Sequence, residues 1–587
     1  MNSAAAPSPS TKLKRAVLVV VLSVAASRAS ALACIPIDLW ENGKSHAICR
    51  EDLVTIGATE LDLGEEWVPF AVERSNTSYR QTYVALAQER FADAGLDAEL
   101  AEEDRHFELF GVFPTLGVIQ RRLADATRHK CHAAIVNELG SERLVEESRT
   151  RGGARIATAR TLRAELEHDA RTRGVEIAAL AKKSTYYQRA VHRLAALDAK
   201  IAAIRTVQAH LACDGLLASR PGDGAYTWQT SNAVERFQRG VMIAPTGTVD
   251  EATRDAFGVN SDERDVRAAL RVLRERVVAA TGLVEDGSAS DAPGTVLGRK
   301  LEPIDTLRAR GRSALADGAP DLISAATDAA ARALGWHDAA AILAFLEAGH
   351  ASHAIAVRLP PLPSYRAGTM ALSIEIDRGD VSRSRTFVPT RRPALIIYVQ
   401  DGARRVPLVQ WPTTIGGWQD ERVDGAIVRR WKSSPVGTAE WKDLFVAPRW
   451  LPPASTPDRE LVRRGAGGVV LARQQLGPSY RAAFGLAAFV HLQDGEYRGI
   501  RTHGTGNLSS LARGASHGCH RLLGMHVLRL AGFVLAHHPH AVHGPEPTYY
   551  RRTVRSGGRA FRIAIDTLGD RIELVPPIPV TVGAASR

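Results

Sequence analysis

The chain is 587 residues long, 45% apolar and 24% charged, with a formal net charge of +11. That length implies about three or four domains rather than one core, and the ordinary composition argues against a disordered or fibrous protein. The positive excess is spread over segments of both signs, such as 147–173, and no basic run interleaves with aromatics, so a solvated face is preferred to a nucleic-acid partner.

Residues 1–33 read as an export signal. Lys12, Lys14 and Arg15 precede an apolar core at 16–26, and small residues lead to Ala31-Leu32-Ala33. The apolar run is short for a membrane span. Cleavage after Ala33 leaves Cys34 first, so lipidation of Cys34 is a competing reading, disfavoured because Ala31 stands where a leucine is usual. The five cysteines are Cys34, Cys49, Cys131, Cys213 and Cys519. The simplest pairing is Cys34 with Cys49 and Cys131 with Cys213, leaving Cys519 free. Acylation of Cys34 would strand Cys49.

Residues 34–203 are expected to form a mostly helical N-terminal region. The pattern over 35–95 is mixed, whereas from 79 to 212 apolar residues recur every three or four positions. Nothing there gathers chemistry, so a scaffold is the reading. Residues 204–258 differ. Val234, Phe237 and Val241 share a helical face, and Asp250 can cap the helix that holds Thr253. This predicts a small three-helix unit. Its Asp223-Gly224, Ala233-Val-Glu-Arg-Phe-Gln238 and Thr246-Gly-Thr-Val-Asp250 with Thr253 resemble the peptidoglycan-binding domain type 1 family. That resemblance implies a module that holds the protein on its polymer and raises local concentration.

Residues 259–365 read as a helical spacer, interrupted at Asp286-Gly-Ser-Ala-Ser-Asp-Ala-Pro293, which has linker composition. Pro360-Pro361-Leu362-Pro363 marks a boundary. Over 366–545 short apolar runs rich in β-branched and aromatic residues predict a mostly β domain, with a hairpin turn at Asp401-Gly402. A strand-rich tail is expected over 546–587.

Chemistry collects in Arg501-Thr-His-Gly-Thr-Gly-Asn507 and Ala515-Ser-His-Gly-Cys-His-Arg-Leu522. Three readings compete for Cys519: a structural cysteine, a metal site with His503, His517, His520 and His526, or a nucleophile activated by a nearby imidazole. The apolar run after Arg521 predicts a helix, which would place Cys519 at its N-terminal end, where the dipole lowers a thiol pKa. The histidines at 537, 538, 540 and 543 are read as scattered on the surface rather than as a metal site.

His503-Gly504-Thr505 followed by Ser516-His517-Gly518-Cys519-His520-Arg521-Leu522 resembles the signature of the L,D-transpeptidase (YkuD-like) catalytic domain family. Leu395-Ile-Ile-Tyr398, Thr414-Ile-Gly416, Ser434-Pro-Val-Gly437 and Pro448-Arg-Trp-Leu-Pro-Pro453 extend the likeness over about 390–545. One departure is His520, where the family usually has a small aliphatic residue. The resemblance implies a multidomain exported protein of the periplasm or cell envelope, with a sandwich-like catalytic domain acting on peptidoglycan stem peptides. It implies Cys519 as nucleophile, His503 as the proton-relaying base with His517 as the alternative, and Gly504 orienting the imidazole. Gly518 and Cys519 amides become candidates for the oxyanion hole, Arg521 for binding a substrate carboxylate, and Ser516 for binding substrate or for capping the following helix. The chemistry needs no cofactor or metal. The alternatives are an L,D-carboxypeptidase, with water as acceptor, and a non-catalytic wall-binding protein.

Overall fold

A computed structural model of the chain describes residues 34–69, 77–90, 107–137, 139–218, 222–291, 296–301, 313–366, 369–380, 390–465, 468–514 and 516–583. The export signal expected at 1–33 lies outside them. The N-terminal and middle regions are mostly α, and the chain is mostly β from residue 372 onward.

The N-terminal region, mostly helical as expected, opens on strands within the stretch whose pattern is mixed. β1 (Pro36–Glu41) and β2 (Lys44–Cys49) form a hairpin through Asn42 and Gly43, whose φ values of 51° and 76° are those an Asn-Gly turn adopts. The Cys34–Cys49 disulfide closes its open end. β3 (Ala58–Asp62) and β4 (Ala354–Arg358) complete a sheet of order β2-β1-β4-β3. The helices Leu116–Leu123, Ser261–Thr281, Leu322–Leu334 and Ala339–Glu347 pack on it through Ile119, Leu273, Ala330 and Ile342. Residues 259–365 are therefore no spacer; they supply one strand and most of the core of this first body.

The helices Arg149–Thr172 and Thr185–Cys213 pack together through Ala159, Leu166, Leu194 and Ile201. The Cys131–Cys213 disulfide ties the end of the second to the helix Ala126–Ala133. That same end, with Trp228–Gly240 and Glu251–Gly258, forms the three-helix unit around Val207, Val234, Phe237 and Phe257. Gln238 explains its sequence pattern. Its buried amide nitrogen donates to the Thr248 carbonyl and to Thr253 Oγ1, both at 2.9 Å, while its oxygen accepts from the Thr246 and Gly247 amides at 2.8 and 3.0 Å. Asp250 caps the last helix by accepting from the Thr253 amide at 3.0 Å.

The β-rich domain comprises β5 (Leu372–Asp377), β6 (Ala394–Asp401), β7 (Arg404–Pro412), β8 (Gly416–Val423), β9 (Ala426–Ser433), β10 (Gly437–Val446), β11 (Val462–Gly465), β12 (Gly468–Leu471), β13 (Ala487–Gln493), β14 (Glu496–Gly504), β15 (His520–Leu522), β16 (His540–Ser556) and β17 (Arg559–Val582). Its main sheet runs β15-β14-β13-β10-β17-β5-β6-β7, with β16 also paired to β17. β8–β9 and β11–β12 are separate hairpins. The tail expected beyond residue 545 is thus no appendage: β17 joins β10 to β5 in the middle of the sheet.

The N-terminal region is built into this domain's core. Phe107 and Phe110 pack their rings on Tyr480 at 4.3 and 5.7 Å. A Cβ at Gly524, the first residue of the helix Gly524–His537, would lie 2.1 Å from the Phe110 backbone, so this close approach requires glycine. Buried ion pairs join Arg529 to Glu275 at 2.5 Å and Arg366 to Glu285 at 2.8 Å. Around Asp286 the expected linker is instead a wedge against the sheet's β7 edge. Asp286 accepts from Trp411 Nε1 at 2.6 Å, and Ser288 Oγ accepts from the Gln410 amide at 3.0 Å. An edge strand leaves backbone groups unpaired, and this wedge satisfies one of them.

Candidate active site

β14 and β15 run parallel, with Thr502 beside His520 and His503 beside Arg521. Side chains alternate across a strand. His503 and Arg521 therefore share one face, and one step back Arg501 and Cys519 stand on that same face. Thr502 and His520 turn to the other. With strands about 4.8 Å apart and about 3.3 Å of rise per residue, Cys519 and His503 lie across a diagonal that two side chains can bridge.

His503 is buried, and its Nδ1 donates to the Gly504 carbonyl at 2.5 Å. A carbonyl only accepts, so the proton is on Nδ1 and Nε2 keeps its lone pair. Phe484 packs edge-on at 4.9 Å. Burial pushes the imidazole down to about 3, with the Arg521 guanidinium adding to the effect. Cys519 is the free cysteine, half-buried, and its thiol donates to the Gly499 carbonyl at 3.6 Å. Burial pushes that thiol up, against the downward pull of the Arg501 amide and of the Arg521 and Arg501 guanidiniums. At neutral pH the pair is thus thiol and neutral imidazole. No hydrogen bond joins them among the described residues, a looseness common in active sites without substrate.

Hydroxyls hold the nucleophile loop. The Cys519 carbonyl accepts from Thr414 Oγ1 and Ser516 Oγ, both at 2.7 Å. Thr414 Oγ1 in turn accepts from the Arg521 amide at 3.0 Å, and Thr413 Oγ1 donates to the Arg521 carbonyl at 3.0 Å. Ser434 Oγ lies 2.7 Å from the Gly518 carbonyl and 2.9 Å from His520 Nε2. Gly518 has φ of 116°, and a Cβ there would sit 3.1 Å from Ile500 Cδ1, so both conformation and space call for glycine.

Residues 386–562 match the family model of the L,D-transpeptidase catalytic domain. That part of the chain is similar to L,D-transpeptidase catalytic domains. Residues 201–257 match the peptidoglycan binding domain model, so a wall-polymer module accompanies it. The comparison with curated proteins returns no match.

Within the L,D-transpeptidase domain, His503, Gly504, Cys519 and Arg521 come together, with Ser516 and Gly518 in the loop beneath. Several expectations need correction. Cys519 does not head a helix: residues 520–522 are the strand β15, and the helix begins only at Gly524. The dipole therefore does not act on the thiol. Ser516 caps no helix; it closes the turn, accepting from the Gly518 amide at 3.1 Å. That bond occupies the Gly518 amide expected at an oxyanion hole, whereas the Cys519 amide has no hydrogen bond among the described residues. His517 is exposed and bonds neither Cys519 nor His503; its charged neighbours are Arg521, Glu421 and Lys432. Arg521 has no carboxylate partner among the described residues; its Nη1 donates to Ser510 Oγ at 2.8 Å.

His520, the departure from the family pattern, is fully buried on the far side of β15. Its Nδ1 lies 3.3 Å from His491 Nε2, which accepts from Trp441 Nε1 at 2.7 Å and lies 2.8 Å from Thr502 Oγ1. Burial drives His520 down to about 3 and His491 well below its usual value. The supporting hydroxyls of Thr413, Thr414 and Ser434 went unassigned in the sequence. Thr414 and Ser434 lie in segments that resemble the family, which was the available signal. The histidines at 537, 538, 540 and 543 use different partners: Gly282, Pro576, the His538 carbonyl and Glu573.

Proposed function

We propose that the protein is an exported cysteine L,D-transpeptidase acting on peptidoglycan stem peptides. The single observation that carries this is the pairing that sets His503 beside Arg521 on adjacent parallel strands, with Cys519 immediately before the second strand, within a matched catalytic domain. Cys519 attacks the carbonyl that links the stem's diamino acid to its terminal D-residue. Because the thiol is held protonated at rest, His503 Nε2 takes its proton as sulfur attacks, rather than from a preformed ion pair. The Gly504 carbonyl fixes the tautomer and steadies the imidazolium that forms. The Cys519 amide stabilises the oxyanion. His503 returns the proton to the departing D-amino acid, leaving a thioester on Cys519. An amine from a second stem then attacks, and a cross-link forms as the thiol is regenerated. Water as acceptor would make the same site an L,D-carboxypeptidase.

The domain at 201–257 would keep this site on its polymer. Two disulfides fit an oxidising compartment outside the cytoplasm, and no helix among the described residues is long and apolar enough to cross a membrane. Cys34 spends its sulfur on Cys49, which speaks against lipidation.

The test is to incubate the purified protein with tetrapeptide-bearing muropeptides. Release of D-alanine with dimeric muropeptide is expected, lost in Cys519→Ala and His503→Ala. Binding to sacculi without D-alanine release would leave only a wall-binding protein. Release without dimers would mark the carboxypeptidase.

A further inference from the structure

Several buried or part-buried arginines among the described residues face a carboxylate. Arg366 pairs with Glu285, Arg529 with Glu275, and Arg128 with Asp265. The two arginines beside Cys519 do not. Neither Arg501 nor Arg521 has an ion-pair partner among the described residues, and the Nε of each is buried without a hydrogen-bond partner. Among the described residues, the Arg521 guanidinium donates to Ser510 Oγ. Arg501 is held by rings: its guanidinium carbon lies 4.5 Å from the centre of Phe484 and 5.2 Å from that of Tyr497. With the thiol and His503 neutral, two positive charges stand on the reacting face with no carboxylate paired to either among the described residues. Desolvated charge is costly without a partner, and a guanidinium's planar fork suits a carboxylate.

We propose that Arg501 is a specificity residue that reads a second substrate carboxylate, so that the preferred stem peptide brings two free carboxylates, one for Arg521 and one for Arg501. This rests on the L,D-transpeptidase reading above. The register explains the division of labour. Arg521 lies beside His503, whereas Arg501 lies beside Cys519 itself, so the two guanidiniums flank the scissile carbonyl along the sheet face. A stem with a free terminal carboxylate and a free carboxylate on its diamino acid satisfies both. Amidation of the diamino-acid carboxylate removes the charge and leaves one guanidinium unmatched.

Two measurements test this. The first is D-alanine release, as kcat/KM, from synthetic tetrapeptide stems whose diamino-acid carboxylate is free or amidated. The wild type is expected to prefer the free acid by about tenfold or more. In Arg501→Gln that ratio is expected to fall toward one, and in Arg501→Lys to be partly kept. An unchanged ratio in Arg501→Gln, or no preference in the wild type, overturns the proposal. The second needs no turnover: alkylation of Cys519 by iodoacetate relative to iodoacetamide. The anionic reagent is expected to lose about tenfold of its relative rate in Arg501→Gln, and an unchanged ratio would count against the proposal even in a folded variant. If the wild type releases D-alanine from neither stem while the iodoacetate preference holds and depends on Arg501, the transpeptidase reading fails and the anion site stands.

Discussion

Acid sensitivity is where the buried histidines of the L,D-transpeptidase domain should declare themselves. His503 and His520 are held neutral with pKa values of about 3, against 6.5 ordinarily, and His491 is driven down as well. A proton then binds the unfolded chain more tightly than the folded one. The stability such a histidine contributes is complete above pH 6.5 and is lost as pH falls from 6.5 toward 3. One pKa unit corresponds to about 1.4 kcal/mol, so moving from pH 6.5 to 5 costs about 2 kcal/mol for each excluded proton. Across this window most carboxylates are ionised in both states, which isolates the histidines. His520→Val removes one of them while keeping an aliphatic group of the kind the family has there. The assay is urea unfolding at pH 7.0, 6.5 and 5.0, followed by fluorescence of the buried Trp411 and Trp441. The variant's baseline stability drops out, because only the pH slope is compared. The wild type should lose about 2 kcal/mol more than His520→Val between pH 6.5 and 5. Equal slopes, or an NMR titration of His520 centred near pH 6.5, would refute the buried-neutral assignment.

Other outcomes follow from named contacts. Carbapenem treatment should add one acyl group to Cys519, read as a mass shift on the intact protein; Cys519→Ser should show no stable adduct. The rate of Cys519 alkylation by iodoacetamide should still be rising above pH 9, because burial holds the thiol above its usual value, and Arg521→Gln should push the inflection higher still. Glu275→Ala removes the carboxylate that faces the buried Arg529 and should cost about 3–5 kcal/mol in chemical denaturation. Gln238→Leu breaks the bonds that hold the 246–253 turn and should weaken sacculus binding in a pull-down while leaving carbapenem acylation of Cys519 intact.

Local signals carried the reading furthest where chemistry and structure are both local. The turn at Asp401-Gly402, the Asp250 cap and the cysteine pairing all stand as read. Failures share one cause, which is pairing over long separations. The Asn42-Gly43 turn is a local sign of the β1–β2 hairpin, but β1 and β3 find β4 only at residues 354–358, so nothing near residues 36–62 announces the four-stranded sheet. The turn-rich run after Asp286 has the composition of a linker, and only the indole of Trp411 gives its carboxylate a buried partner. Near the thiol, the apolar run after Arg521 suggested a helix at once. Pairing with β14 draws residues 520–522 into a strand first. That strand is also what sends His520 and Arg521 to opposite faces, a division no periodicity in so short a segment could reveal.

The position of β17 has a consequence for how this domain is assembled. Remove residues 559–582 and the sheet falls into two pieces, β5-β6-β7 on one side and β15-β14-β13-β10 on the other. The sulfur, its imidazole and both arginines all sit on the second piece, which has no central partner until that late segment arrives. Cys519 therefore precedes in the chain the strand that seats its half of the sheet, and the face that carries it is completed only once β17 has joined β10 to β5.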